Sequence, residues 1–178
     1  MAKMLVVDLG KCTGCKVCEL ACSMRHHGEY NPAKSRITVF GFAPAASYIP
    51  VFCTQCEEAW CRTACPAGAI TEEEVNGARI VRVSEEKCIG CKTKFCLMAC
   101  PFGDMSFVSE NRKVQKCDLC DGEPECVTAC TYGALQFKEA EVATLPLQRL
   151  LVLLYSVLSV KKRATAGKIS QSYKEVKL

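Results

Sequence analysis

Over residues 4–137 the apolar positions come in short runs set apart by turn residues. Residues 4–9 read as a strand that ends at Gly10. Arg36-Ile37-Thr38-Val39-Phe40 alternates polar and apolar side chains, the pattern of a half-buried strand. Tyr48-Ile49-Pro50-Val51-Phe52 follows, so residues 36–52 are expected to form a long hairpin. Asn76-Gly77 lies between two β-prone runs, one around Ile70-Thr71 and one over residues 78–83. That dipeptide in that setting is the strongest short signal for a hairpin. The theme returns at Met105-Ser106-Phe107-Val108, with a turn near Asn111 and a second run at Lys113-Val114-Gln115-Lys116. Residues 23–35 read as a polar connector, with turn signals at Gly28 and Asn31-Pro32.

The pattern changes after residue 140. Residues 145–160 are Leu-rich, and Leu150 to Tyr155 run without a charge. A membrane-spanning helix needs roughly 20 apolar residues, and Gln148, Arg149 and Lys161 bound this run well short of that. A buried or partner-packed helix is expected. Ile169, Tyr173 and Val176 continue at helical spacing, so residues 141–178 are expected to be a helical tail used in docking or self-association.

Cysteine punctuates everything before that tail. Cys12, Cys15 and Cys18 sit at two-residue spacing, which puts three sulfurs on one tight loop, and Cys22 follows one turn into a short helix. Three further quartets repeat the arrangement: Cys53, Cys56, Cys61, Cys65; Cys88, Cys91, Cys96, Cys100; and Cys117, Cys120, Cys126, Cys130. Together they use all 16 cysteines of the chain. Such spacing is the mark of a [4Fe–4S] site, in which thiolates hold the iron. Pro66 and Pro101 follow the second and third quartets, and Thr131 occupies the same slot after the fourth.

Composition agrees with a metal-held core. Of 178 residues 49% are hydrophobic by a count that includes cysteine; without cysteine the share falls to roughly 40%, below that of an ordinary globular domain. Binding energy at a metal site is also folding energy. The formal charge of +4 would suit a nucleic-acid partner, but it omits the bound groups. Thiolates and oxidised cluster cores bring the holoprotein to about −4. Basic residues are scattered except at Lys161-Lys162-Arg163, so no nucleic-acid partner is expected. Met1-Ala2-Lys3-Met4 leads into Leu5 without the apolar segment of a signal peptide. A reducing cytoplasmic setting is therefore expected, which argues against eight disulfides.

In two-cluster ferredoxins the fourth cysteine of each run ligates the other run's cluster. On that rule the contiguous stretch 53–100 forms one unit. Cys53, Cys56, Cys61 and Cys100 hold one cluster, and Cys88, Cys91, Cys96 and Cys65 the next. The outer quartets then complete each other: Cys12, Cys15, Cys18 with Cys130, and Cys117, Cys120, Cys126 with Cys22. The expected fold is α+β. Two pseudo-symmetric bacterial-type 2[4Fe–4S] ferredoxin units are nested, residues 1–52 and 101–140 around residues 53–100, with the helical tail appended. Zinc would suit paired CxxC sites but does not ask for a three-cysteine loop with a distal fourth, four times over.

No catalytic residues are expected. The chain has no GxGxxG, P-loop or GxSxG motif, and four cysteines close each site. Electron transfer is what remains. His26 and His27 are the only histidines and read as part of a polar connector touching a partner, the alternative being that one of them is a proton or metal ligand. Trp60, beside Cys61, is expected to shield a cluster, with partner contact as the alternative. Asp118, Asp121, Glu123 and Glu125 surround the last quartet, whereas Lys87, Lys92 and Lys94 surround the third. Negative neighbours disfavour an added electron, so the last quartet's cluster is expected to have the lower potential.

With these sixteen positions in place over residues 4–137, the chain resembles the four-cluster iron–sulfur subunits of multisubunit oxidoreductases, relatives of the electron-transfer subunits of dimethyl sulfoxide reductase and formate dehydrogenase. The short loops at residues 27–32 and 117–122 resemble the compact subgroup serving tungsten aldehyde oxidoreductases, benzoyl-CoA reductases and carbon monoxide dehydrogenases. The resemblance implies four [4Fe–4S] clusters and a non-catalytic role. One partner is then a large catalytic subunit, of tungsten- or molybdenum-pterin type. The other is a second redox subunit or carrier, a flavoprotein or ferredoxin. A free-standing polyferredoxin, the ferredoxin-like partner of a carbon monoxide dehydrogenase or hydrogenase, and a structural or assembly protein are the alternatives. Residues 145–178 are expected to serve homo-oligomerisation or docking.

Overall fold

A computed structural model describes residues 3–42 and 47–139. In chain order these form β1 (Lys3–Val7), α1 (Val17–His27), β2 (Ile37–Phe42), β3 (Ser47–Phe52), α2 (Trp60–Thr63), β4 (Ile70–Val75), β5 (Ala78–Val83), α3 (Phe95–Ala99), β6 (Ser106–Val108), β7 (Lys113–Gln115), α4 (Glu125–Thr128) and β8 (Leu135–Glu139). The expected α+β class is what the described residues show. Their strands pair only as antiparallel two-stranded ribbons: β1 with β8, β2 with β3, β4 with β5, and β6 with β7. A lone ribbon is marginal in water, so each must be held by what packs on it.

Three ribbons are hairpins at the places the sequence marks. In β4–β5, Val75 faces Ala78, and the two residues between them, Asn76 (φ 52°) and Gly77 (φ 75°), are both left-handed. That is the turn whose twist matches the strands it joins. The hairpin β2–β3 runs in register from Ile37↔Phe52 to Phe42↔Ser47, and β6–β7 closes at Val108↔Lys113. The fourth ribbon is not local. It joins the first and last strands, from Val7↔Leu135 to Lys3↔Glu139. Asp8 ends β1 by accepting the Gly10 N–H on its side chain (3.1 Å).

Helix α1 corrects one expectation. Residues 23–27 are not connector but the second half of an 11-residue helix. No helix breaker follows Cys22, so the turn carrying it continues until Gly28, whose left-handed backbone (φ 68°) caps the end through its N–H to Met24 O. Ser23, fully buried, then ties the next loop down by accepting the Asn31 N–H (3.0 Å).

Two apolar clusters form the interior. One gathers Leu5, Ile37, Val39, Phe52, Ile80, Leu119 and Leu135 with Cys18, Cys22 and Cys126. The other gathers Ala59, Ile70, Val81, Met105 and Val114 with Cys96. Ile80 and Val81 are neighbours on β5, and both are 0% exposed. Successive strand residues face opposite sides, so β5 is the wall between the two clusters. Helix α1 packs on α4, and α2 on α3. No helix among the described residues is long and apolar enough to cross a membrane. The expected helix at 145–160 and the docking or self-association surface at 145–178 lie outside the described residues.

Candidate metal centres

The four cysteine loops share one backbone device. In each Cys-x-x-Cys, the residue before the second cysteine is left-handed: Gly14 (φ 71°), Gln55 (φ 51°), Gly90 (φ 59°) and Leu119 (φ 55°). This reverses the chain so that both sulfurs fall on one side. Glycine adopts the conformation freely, whereas a residue with a Cβ does so at a cost of about 1 kcal/mol or more. Neighbours enforce it at the two other positions. Gln55 donates its amide to Cys117 O (2.7 Å) and accepts the Val81 N–H (2.8 Å). Leu119 is locked in the first apolar cluster at 1% exposure. A second device follows three of the fourth cysteines. Gly68, Gly103 and Gly133 each return an N–H to the carbonyl of Cys65, Cys100 and Cys130 respectively. After Cys22 the helix runs on instead.

The sulfurs gather across quartets. One cavity is lined by Cys12, Cys15, Cys18 and Cys130. Another is lined by Cys65, Cys88, Cys91 and Cys96. Cys22 is close enough to Cys120 and Cys126 to act on their charge. Cys53 and Cys100 both sit beside Asp104. Cys117 neighbours both Cys126 and Cys53, the one point at which these electrostatic contacts link the inner quartets to the outer ones.

Burial sets the chemistry. It pushes the Cys18 thiol up to about 12 and those of Cys53 and Cys120 up to about 11. Burial likewise raises Cys96, Cys100, Cys117 and Cys126. Such sulfurs do not ionise unaided at neutral pH. A coordinating cation deprotonates them and supplies the missing charge. All sixteen cysteines are free of disulfides. Sulfur-only donor sets in dry surroundings fit iron–sulfur cores.

Arg36, Asp104 and Lys116, which the sequence pattern did not single out, join Asp118 around these sites. Arg36 donates to Asp118 Oδ2 (2.5 Å), and its backbone N–H reaches Cys22 Sγ (3.3 Å). Asp118 Oδ1 accepts the Cys120 N–H (3.1 Å). Although burial opposes it, Arg36 and His26 hold the Asp118 carboxyl below its usual range. Lys116 is only 3% exposed and bonds the Cys53 sulfur. Burial pushes Asp104 up to about 7 against the pull of Lys116, and neither of its carboxylate oxygens has a hydrogen-bond partner.

Three expectations change here. His26 and His27 belong to the last turn of α1 and face inward. His26 Nε2 lies 3.4 Å from Asp118 Oδ1 and 3.8 Å from Cys120 Sγ, while His27 bonds the Gln115 side chain (3.0 Å). Burial and the Arg36 guanidinium push the His26 imidazole down to about 4. Trp60, the first residue of α2, is 58% exposed, which fits contact with a partner better than a shield over a cluster. The acidic surplus around the last quartet is halved: Asp118 is paired with Arg36 and Asp121 with Arg82. Counting charges along the chain therefore overstates how far this site's potential is lowered. His26 carried a legible signal, since Cys18, Cys22 and His26 are spaced i, i+4, i+8 and share one face of a helix.

A 4Fe-4S dicluster domain model matches residues 44–140, and a 4Fe-4S binding domain model matches residues 9–25. The polyferredoxin-like subunit of the aliphatic sulfonate oxidoreductase of Pyrococcus furiosus is 40% identical over 126 residues, covering 71% of this chain and 70% of that one. Electron transport protein HydN of Escherichia coli is 35% identical over 161 residues, covering 76% and 87% respectively. Among solved structures, the active site complex BamBC of benzoyl coenzyme A reductase aligns over 98% of both chains, at 26% identity and a TM-score of 0.46.

Proposed function

The chain belongs to the 4Fe-4S dicluster domain family, and from that premise we propose that it is the electron-transfer subunit of an oxidoreductase complex, holding four [4Fe–4S] clusters. Cys12, Cys15, Cys18 and Cys130 hold one cluster; Cys22, Cys117, Cys120 and Cys126 the second; Cys53, Cys56, Cys61 and Cys100 the third; Cys65, Cys88, Cys91 and Cys96 the fourth. One observation supports this assignment above others: each of two cavities is lined by four cysteines, three from one quartet and one from another. The four-fold recurrence of the left-handed loop residue supports the count.

Each cluster supplies a one-electron couple when bound. The chain's residues fix where those couples sit, keep water away and set their charge surroundings. Residues 1–52 and 101–140 form the outer unit and residues 53–100 the inner one. The β1–β8 ribbon supports that split, β5 serves both units as their shared wall, and Met105 and Val114 of the outer stretch pack against the inner unit. The chain has no catalytic residue of its own. Its partners are a large catalytic subunit and a second redox carrier, and the sulfonate oxidoreductase relative favours this over a free-standing polyferredoxin. A tungsten- or molybdenum-pterin catalytic subunit fits the family resemblance of the short loops. Sixteen free thiols suit a reducing cytoplasm.

Anaerobic purification of the full chain at native expression levels tests the proposal. Iron and acid-labile sulfide should correspond to four clusters per chain, and a larger cofactor-bearing subunit should co-elute. Zinc in place of iron, or two clusters only, would sink the assignment; elution as a lone redox-active chain would remove the partner.

A further inference from the structure

We propose that His26 is a positioning residue for the last cysteine quartet: its Nε2–H donates to Cys120 Sγ and thereby holds up the reduction potential of the cluster on Cys22, Cys117, Cys120 and Cys126. The inference rests on the cluster assignment above. His26 sits on the same helix as Cys22, one turn further along, with its side chain 12% exposed. Its Nε2 is 3.8 Å from Cys120 Sγ, within hydrogen-bond range of a sulfur. A cysteine bound to iron has lost its proton and can only accept. The imidazole must therefore be the donor, and Nε2 the nitrogen that carries the hydrogen.

The surroundings hold the ring between two acceptors. Asp118 Oδ1 lies 3.4 Å from the same nitrogen and shares its single hydrogen with the sulfur. That oxygen also accepts the Cys120 N–H, and the other takes the Arg36 guanidinium. Arg36 in turn offers its backbone N–H to Cys22 Sγ at 3.3 Å. His26, Asp118 and Arg36 thus make one connected group touching a ligand from each contributing quartet. A donor aimed at a ligand sulfur stabilises the more negative, reduced cluster, which raises the potential. Only two histidines exist in the chain, and His27 is spent on Gln115, so among the described residues no other quartet has a histidine at a ligand sulfur.

Potentiometric EPR on the full-length holoprotein tests this, with iron and sulfide counted first. Fewer than four clusters in the wild type would overturn the assignment rather than the role of His26. With four present, H26L should weaken reduction of one cluster about tenfold, equivalent to about 59 mV for one electron, and leave the other three midpoints in place. H27L should move none. In protein labelled with 15N at histidine only, the reduced wild-type cluster should show a 15N modulation in pulsed EPR that H26L removes and H27L keeps. An unmoved midpoint in fully loaded H26L overturns the proposal. Should H26L fail to load the site, H26Q, which keeps an N–H donor, decides: a near wild-type midpoint supports the proposal and a lowered one overturns it. If neither loads, absence of the histidine-specific 15N modulation in the wild type overturns it, and its presence there and in H27L supports it.

Discussion

The site of Cys65, Cys88, Cys91 and Cys96 and that of Cys22, Cys117, Cys120 and Cys126 are built from the same loop, yet they meet solvent differently. At the first, Ile89 is 70% exposed and Met98 77%, while Phe95 stands half out beside them. At the second, Cys22, Cys120 and Cys126 are all buried, and Leu119 between them is 1% exposed. Charge follows cover. The open site is edged by Lys87 and Lys92 in water and by Lys94 lying over the Phe107 ring at 4.1 Å. The closed site carries its own counter-charges, Arg36 on Asp118 and Arg82 on Asp121. A repeated ligand loop thus fixes where the sulfurs go. The elements packed over it decide whether the site can face a partner or only pass electrons inside the chain.

The largest expected effect separates the two sites by their borrowed ligands. Cys22→Ser should remove the cluster of the last quartet, about a quarter of the iron, and leave the Cys12, Cys15, Cys18 cluster in place. It should also lower the thermal midpoint more than Cys65→Ser does. Cys22 belongs to the apolar cluster that joins α1, α4 and the β1–β8 ribbon, whereas Cys65 is only partly buried, at the edge of the other cluster. Iron analysis, EPR and calorimetry on both variants read this directly. If Cys22→Ser lost the first quartet's own signal instead, the crossed pairing would be wrong.

Next comes the position before the second cysteine of the loop. Leu119→Gly relieves a left-handed backbone (φ 55°) and should still destabilise the protein by about 3 kcal/mol. Emptying a buried leucine site costs about 2–5 kcal/mol, and relief of the backbone returns only about 1 kcal/mol. Denaturant unfolding of the holoprotein measures the sum. A neutral result would mean that the side chain contributes nothing to closing that site.

Much of this was open to inspection in the sequence. Cysteine spacing carried all sixteen candidate ligands, and Asn76-Gly77 placed the β4–β5 turn to the residue. The misplaced histidines follow from one feature, the helix that runs on past Cys22. Nothing breaks the helix before Gly28, so α1 runs five residues further. That brings His26 under Cys120 and His27 to Gln115. Arg36, Asp104 and Lys116 were illegible for a different reason. Lys116 adjoins Cys117 in sequence, yet its reach to Cys53, like that of Arg36 to Cys22, depends on how the chain folds back, and a charge read by its distance along the chain says nothing of the partner facing it. Asp118 counted as a bare negative charge for that reason, and it is not one.

The smallest effect returns to the loop at the open site. Gly90 holds the place that Leu119 holds in the closed one, at φ 59°. A Cβ there would come within 2.5 Å of Arg112 O, whereas at Gly68, with the same φ, it would meet nothing within 4 Å. Both Gly→Ala changes put a side chain on a left-handed backbone at about 1 kcal/mol, and only Gly90→Ala adds a clash with main chain that cannot rotate away. Gly90→Ala should therefore cost about 1–2 kcal/mol and Gly68→Ala about 1 kcal/mol, as unfolding midpoints of the holoproteins. The order matters more than the size. Equal costs would show that the open site yields around Gly90, so that its exposed side chains stand on a loop free to reshape against a partner. A larger cost at Gly90 would show that the loop is as rigid as its buried counterpart and that the difference between the sites lies in cover alone.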